Sequence, residues 1–228
     1  MQTLCLFVTA TDTGVGKTWL TALIARSLRE RGLRVGAYKP VCSGAEVDGA
    51  GNISWGDIKS LAAAIGGDID DRRVCSTRLK APLAPPVAAR QEAIRLDFGK
   101  MQEGAAWWLG RVDVLLIEGA GGLLCPLTEE HTIADLAQAL NCPLLVVARL
   151  GLGTINHTLL TIEASRIRNL AVRGVVLNEA EPLASDLGID ENSLEIARRA
   201  NVPVLGVVRH GETSLSVDWL QVVSGAQS

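Results

Sequence analysis

The sequence predicts an α/β protein: a mainly parallel β-sheet flanked by helices on both faces, in one domain spanning residues 1–228. Two observations carry this. Short, continuous apolar runs alternate along the chain with longer stretches of helical periodicity, the pattern of βαβ units. The apolar runs themselves lack polar–apolar alternation, as expected for strands covered on both faces. A chain of 228 residues is long enough to bury a large core without disulfide or metal staples.

The elements follow in order. Leu4–Val8 reads as the first strand and Val35–Tyr38 as a weaker second. Val112–Ile117, Pro143–Ala148, Gly174–Leu177 and Val202–Val208 read as the next four. Trp19–Arg31 carries Leu20, Leu23, Ile24 and Leu28 at helical spacing. Ile133–Leu140 follows Thr132, a candidate N-cap with Asp135 three residues on. Thr158–Arg168 and Ser193–Arg199 are the remaining helices. Parallel strands joined through helices require right-handed crossovers. No internal repeat or linker divides the chain. Ala81–Ala89 (APLAPPVAA) is proline-rich and almost uncharged; it reads as a loop, or as an ordered wall over a site.

Composition narrows the function. Lys plus Arg number 22 against 25 Asp plus Glu, for a net charge of −3. That excludes a large basic footprint for nucleic acid, although not a local pocket for a small anion. The five cysteines include no CxxC pair, which points to reduced thiols rather than a disulfide framework or a zinc site. The first residues, MQTLCLFVTATD, lack the basic flank of a signal peptide. No apolar run reaches membrane-spanning length. A cytoplasmic protein with neither membrane nor nucleic-acid partners is expected.

The strongest motif follows the first strand: Ala10-Thr11-Asp12-Thr13-Gly14-Val15-Gly16-Lys17-Thr18. Gly-Lys-Thr between a buried strand and an amphipathic helix is the context of a phosphate-binding loop, and predicts the P-loop NTPase type of fold. Loop and helix N–H groups would face phosphate oxygens. Gly16 allows close approach, Lys17 neutralises phosphate charge, and the Thr18 hydroxyl is a Mg²⁺ ligand. Thr11 stands where the usual first glycine of the motif belongs. Lys39, in Tyr38-Lys39-Pro40-Val41-Cys42-Ser43-Gly44, follows the second strand and would face the same crevice. Glu118 ends the third strand before Gly119-Ala120-Gly121-Gly122, where a second metal-side ligand belongs. Asp57 alone reads as a helix cap. Gly153-Thr154-Ile155-Asn156-His157 opens a helix whose free N–H groups suit a carboxylate. Asn178 ends the fifth strand, where a nucleotide base often lies. The three histidines, His131, His157 and His210, have no nucleophile pattern around them.

Taken together, VTATDTGVGKT, AYKPVCSG, IEGAGG, LGTINHTLLT and VVLN occur in one order. Across most of its length the chain resembles the dethiobiotin synthetases, the penultimate enzymes of biotin synthesis. The resemblance implies an ATP- and Mg²⁺-dependent ligase that joins CO₂ to 7,8-diaminononanoate. It implies phosphate and carbamate contacts from Thr13 and Lys17, with nucleotide contacts also from Asp12, Gly14, Val15, Gly16, Thr18, Glu118 and Asn178. Thr18, Asp57 and Glu118 would hold Mg²⁺, which turns Asp57 from a cap into a ligand. Lys39 and Ser43 would hold the diamine and carbamate, with the Gly121 N–H beside them. Lys17, Lys39 and Thr13 would be the catalytic set. In a homodimer, Thr154, Ile155 and Asn156 would bind the substrate carboxylate of the neighbouring subunit, and Pro82–Val87 would flank its alkyl chain. This chain has Ala10 in place of a common family glycine, Gly14 where some members carry Glu, and Val207–His210 without the proline many members have near the adenine.

Two other readings share the fold. An amide ligase of the cobyrinate type normally carries a further glutaminase domain, for which 228 residues leave no room. A partition-type nucleotide switch often has an additional lysine early in the loop, where this chain has Thr11, Asp12 and Thr13.

Overall fold

A computed structural model describes residues 2–182 and 188–225. In chain order the elements are β1 (Leu4–Ala10), α1 (Lys17–Glu30), β2 (Val35–Tyr38), β3 (Val41–Cys42), β4 (Glu46–Val47), β5 (Ile53–Ser54), α2 (Gly56–Ile65), α3 (Asp71–Val74), β6 (Thr77–Arg78), α4 (Pro85–Gln91) and α5 (Phe98–Ala106). They continue with β7 (Val114–Glu118), α6 (Ile133–Ala139), β8 (Leu144–Arg149), α7 (Thr154–Ile167), β9 (Val172–Asn178), α8 (Ile189–Ala200), β10 (Val204–Val208) and α9 (Trp219–Ser224).

Six strands form one parallel sheet in the order β10-β9-β8-β1-β7-β2. β1 is central, with β7 on one side and β8 on the other. The chain fills the β7–β2 side first and the β8–β10 side afterwards, so the order reverses beside β1. Ligands in open α/β sheets bind at the carboxyl ends of strands at such a reversal. The six expected strands are all present, with ends shifted by up to two residues. Leu6, Phe7 and Val8 of β1 and Leu115 and Leu116 of β7 are fully buried, as uninterrupted apolar runs require. One core packs β1, β2 and β7 against α1, α2, α6 and α9. A second packs β8 and β9 against α7 and α8.

Helix starts differ from the periodicity in informative ways. α1 begins at Lys17, not Trp19, because its first turn is the end of the phosphate loop; Gly16 at its N-cap is left-handed, with φ 92°. α7 begins at Thr154, a full turn before Thr158, behind a left-handed Gly153. α6 has a complete capping box: the Thr132 hydroxyl accepts from the Asp135 N–H, and the Asp135 carboxylate accepts from the Thr132 N–H. The proline-rich stretch is not simply a loop. Its second half is α4, with Pro85 and Pro86 at the first helical positions, where a missing N–H costs nothing and the fixed φ is already helical. The anticipated cap role of Asp57 is corrected: Trp55 is the N-cap of α2, and Asp57 lies in the first turn.

Gly36 shows how tightly β2 is covered. A Cβ there would stand 2.5 Å from the ring of Trp108, which is almost fully buried. Gly36→Ala is therefore expected to lose about 1–3 kcal/mol of stability, the usual cost of overpacking. Urea unfolding checks this; an unchanged midpoint would show that the indole can step aside.

Candidate active site

Most functional segments lie at the carboxyl ends of strands of the parallel sheet, which is why residues far apart in sequence converge. β1 delivers the phosphate loop, β2 Lys39, β7 Glu118 and β9 Asn178, while the first turn of α2 delivers Asp57. Thr13, Gly14, Gly16, Lys17, Thr18, Lys39, Ser43, Asp57, Glu118 and Gly121 line a single open cavity of about 320 Å³.

Its centre is a charged cluster. Lys39 is buried, and its Nζ lies 2.7 Å from Asp57 Oδ2 and 2.5 Å from Glu118 Oε1. The same Glu118 oxygen accepts the Thr18 hydroxyl at 2.7 Å. Burial works against the charge on Lys39, but the Glu118 and Asp57 carboxylates outweigh it and raise its pKa. Lys39 is thus a fixed cation rather than a proton acceptor. Burial likewise opposes the charge on Asp57, and Lys39 more than compensates, so the Asp57 pKa falls. Lys17 is the opposite case. It is 7% exposed, and its Nζ donates to the Asp12 carbonyl oxygen at 3.1 Å. Burial brings its pKa down to about 8; Glu118 resists and neighbouring Lys39 adds to the fall.

Two lysines and two carboxylates leave the cavity formally neutral, so a triphosphate needs further positive charge. Part of it comes from the helix start and loop N–H groups. The rest fits a divalent cation. Glu118 Oε2 is buried without a hydrogen-bond partner among the described residues, an arrangement that is costly unless the oxygen has a ligand. Thr18, Asp57 and Glu118 supply hard oxygens of the kind Mg²⁺ prefers, with few enough protein ligands to leave room for water and phosphate.

The remaining expected residues occupy distinct places. Asp12 Oδ1 accepts the Thr13 N–H at 2.7 Å, which shapes the loop. Val15 is fully buried. Asn178 is buried too, and its amide donates to the Val15 carbonyl at 2.8 Å. A Cβ on Gly16 would stand only 2.2 Å from that amide nitrogen. Gly16 therefore needs its missing side chain both for φ and for Asn178. Asn178→Ala is expected to loosen the loop and weaken all nucleoside triphosphates alike, by about 1 kcal/mol for the lost hydrogen bond. Nucleotide titrations check this; a loss confined to ATP would assign the side chain to the base instead. Thr154, Ile155 and Asn156 do not line the main cavity. They begin α7 beside an adjoining hollow formed by Thr11, Asp12, Thr13, Leu124, His157 and Leu160, among others.

Two neighbours carried no sequence signal. Arg149, an ordinary charged residue at the end of β8, donates to the Thr13 carbonyl oxygen at 3.4 Å. Cys125 lies so close to Gly121 that a Cβ there would be 2.9 Å from its Sγ.

This sheet order and loop define a nucleotide-binding α/β protein of the P-loop class. Residues 5–215 match the family model described as an AAA domain. Among solved structures, a ParA-family ATPase from Chlorobium tepidum TLS superposes with TM-score 0.52 at 14% identity, covering 99% of this chain and 90% of that one. The MinC:MinD cell division complex of Aquifex aeolicus gives TM-score 0.52 at 18% identity, covering 90% and 81%. At such identities the likeness is of fold alone. The curated relatives are much nearer. The ATP-dependent dethiobiotin synthetase of Anaeromyxobacter sp. (strain Fw109-5) is 46% identical over 193 residues, 85% of this chain and 84% of the relative. That of Thermodesulfovibrio yellowstonii is 36% identical over 210 residues, covering 89% and 87%. The chain belongs to the ATP-dependent dethiobiotin synthetase family, a family of ligases in biotin biosynthesis.

Proposed function

We propose that the chain joins CO₂ to 7,8-diaminononanoate at the expense of ATP, giving dethiobiotin, ADP and phosphate. One amine captures CO₂ as a carbamate and releases a proton. A carbamate oxygen attacks the γ-phosphorus of ATP; ADP leaves and a carbamic–phosphoric anhydride remains. The second amine then attacks the carbonyl carbon, expels phosphate and closes the cyclic urea. The observation that carries this reading is Lys39, a buried cation held by Asp57 and Glu118 in the same cavity as Lys17.

The chemistry needs no protein nucleophile; it needs alignment and charge compensation. Asp12, Gly14, Val15 and Gly16 present backbone to the phosphates, while Thr13 and Lys17 reach both phosphate and carbamate. Lys39, Ser43 and the Gly121 N–H hold the carbamate end, and Lys39 offsets the charge that builds on the transferring group. Asn178 braces the loop on the adenine side. Thr18, Asp57 and Glu118 would hold Mg²⁺, which supplies charge neutralisation to the triphosphate. With Lys39 held protonated, the protons leave through solvent or bicarbonate.

A homodimer supports the other half of the substrate site. Leu124 and Leu160, 50% and 60% exposed, share a hollow with Thr13, and Leu152, fully exposed, stands just before α7. A second copy seated there would present Thr154, Ile155 and Asn156 to the substrate carboxylate across the interface. The five free thiols and the lack, among the described residues, of a helix long and apolar enough to cross a membrane suit a reducing cytoplasm.

Mass spectrometry tests the reaction. Purified protein with Mg-ATP, bicarbonate and 7,8-diaminononanoate is expected to form the cyclic urea, with phosphate release that depends on the diamine. Diamine-independent hydrolysis without urea would overturn the proposal.

A further inference from the structure

A second charged site lies on the far side of the β3–β6 ribbon from the active site. Between α3, β6 and α5 runs a groove of about 640 Å³ lined by Arg72, Arg73, Arg78, Arg95, Lys100 and Trp107, and it shares no lining residue with the catalytic cavity. Only Asp97 and Glu103 oppose the five cations there, so the lining is formally +3 in a chain whose net charge is −3. The Asp97 carboxylate is already engaged, accepting the Lys100 N–H as the N-cap of α5.

What sets these cations apart is that five of them gather around one concavity. Arg31, Arg34, Arg90, Arg166, Arg198 and Arg199 each pair with a carboxylate within 4.0 Å. None of the five groove cations does so among the described residues. Two of them are nevertheless fixed. The Arg73 guanidinium lies 4.5 Å from the centre of the Trp107 ring, and Arg111 covers the same indole at 4.9 Å. Arg78 Nε donates to the Cys75 carbonyl oxygen at 3.0 Å, while its Nη2 is buried with no hydrogen-bond partner among the described residues. Unpaired like charges around a concavity repel one another, and a multivalent anion relieves that repulsion. Guanidinium forks match planar or tetrahedral oxyanions, and prior fixing of Arg73 and Arg78 lowers the entropy lost on binding.

We infer that this groove is a binding site for a small multivalent oxyanion, held by Arg73, Arg78 and Arg95 with Arg72 and Lys100 at the rim. Its volume fits a molecule of nucleotide size or smaller. It is tied to the catalytic strands: Thr77 and Arg78 pair in register with Val41 and Cys42, and the Lys39 N–H donates to the Val74 carbonyl oxygen at 2.8 Å. The inference does not depend on the reaction proposed above.

Calorimetric titration of tripolyphosphate and, separately, citrate into protein saturated with Mg²⁺ and a non-hydrolysable ATP analogue tests it. The analogue occupies the phosphate loop and the titrant is pre-equilibrated with Mg²⁺, so uptake that the variant loses belongs to the groove and not to the diamine end of the catalytic cavity. One saturable equivalent is expected, at least about tenfold weaker in Arg73→Glu/Arg95→Glu, the loss expected from removing one charge-assisted hydrogen bond. Preference for tripolyphosphate marks a phosphate ligand and preference for citrate a carboxylate ligand; either supports the site. No saturable uptake, or uptake equally strong in the variant, overturns it. Circular dichroism and retained analogue binding check the fold of the variant. Should it misfold, the exposed pair Arg72→Gln/Lys100→Gln decides by the same criterion.

Discussion

Replacing Lys39 with methionine is expected to reduce turnover by about 10³-fold, the scale for losing one preorganised charge at a reacting centre, and also to destabilise the protein. Among the described residues, Lys39 is the only cation that Glu118 contacts, and the Glu118 side chain is fully buried. Removing one partner of a buried pair leaves an uncompensated charge and costs roughly 3–5 kcal/mol. Asp57 suffers less, because its side chain is 43% exposed and can be resolvated.

The two effects can be separated. In Lys39→Met/Glu118→Gln the buried charge is gone, and the glutamine oxygen can still accept the Thr18 hydroxyl. Stability is expected to return to within about 1 kcal/mol of the parent, because an uncharged pair of similar volume replaces an ion pair at little net cost. Turnover is expected to stay at the Lys39→Met level or fall further. Urea unfolding and steady-state rates on the three proteins decide. Recovery of activity with stability would mean that Lys39 and Glu118 only hold the fold, and Glu118→Gln alone gives the share of the loss that belongs to the proposed metal ligand. Linkage gives a further check. A lysine whose pKa is raised on folding contributes stability that is complete below its unfolded value near 10.4 and is lost as pH climbs beyond it. The difference between parent and Lys39→Met should therefore be flat from pH 6 to 9.

Much of this site was legible in the sequence because its geometry is local to strand ends. The phosphate loop, Lys39 and Glu118 each follow an apolar run directly, and parallel strands bring such ends together. Asp57 was a different matter. Its own surroundings, Trp55-Gly56-Asp57, read as a cap, and only family resemblance made it a ligand. The structure brings it to Lys39 through α2, a ten-residue helix that the reading of periodicity did not mark. Arg149 and Cys125 stayed invisible because a charged residue after a strand and a cysteine in a loop have many ordinary explanations. The proline-rich wall misled in part, since proline breaks helices from inside yet starts them well. The oxyanion groove could not have been read at all: its cations come from α3, β6, α5 and the stretch before α5, and only packing gathers them.

Lys17→Met should lose turnover as completely as Lys39→Met and yet be more stable than the parent when free of ligand. The two lysines stand in one cavity, but the protein treats them oppositely. Lys39 has two carboxylates at contact distance. Lys17 has a carbonyl oxygen at 3.1 Å and, among the described residues, no carboxylate in contact; burial dominates its environment, Glu118 resists from a distance and Lys39 adds repulsion. Its pKa falls on folding from 10.5 to about 8, so keeping it charged at pH 7 costs on the order of 3 kcal/mol. That cost is full below pH 8, shrinks as pH rises from 8 towards 10.5, and disappears above. A methionine fills nearly the same volume without it. Urea unfolding is expected to place Lys17→Met above the parent at pH 7 and level with it near pH 10.5. An equal or lower midpoint at pH 7 would show that the ammonium is satisfied without ligand. The excess is the strain a phosphate site stores while empty. On the proposed function, a bound triphosphate would supply the missing counter-charge, so the lysine that costs the free protein most would favour the complex most.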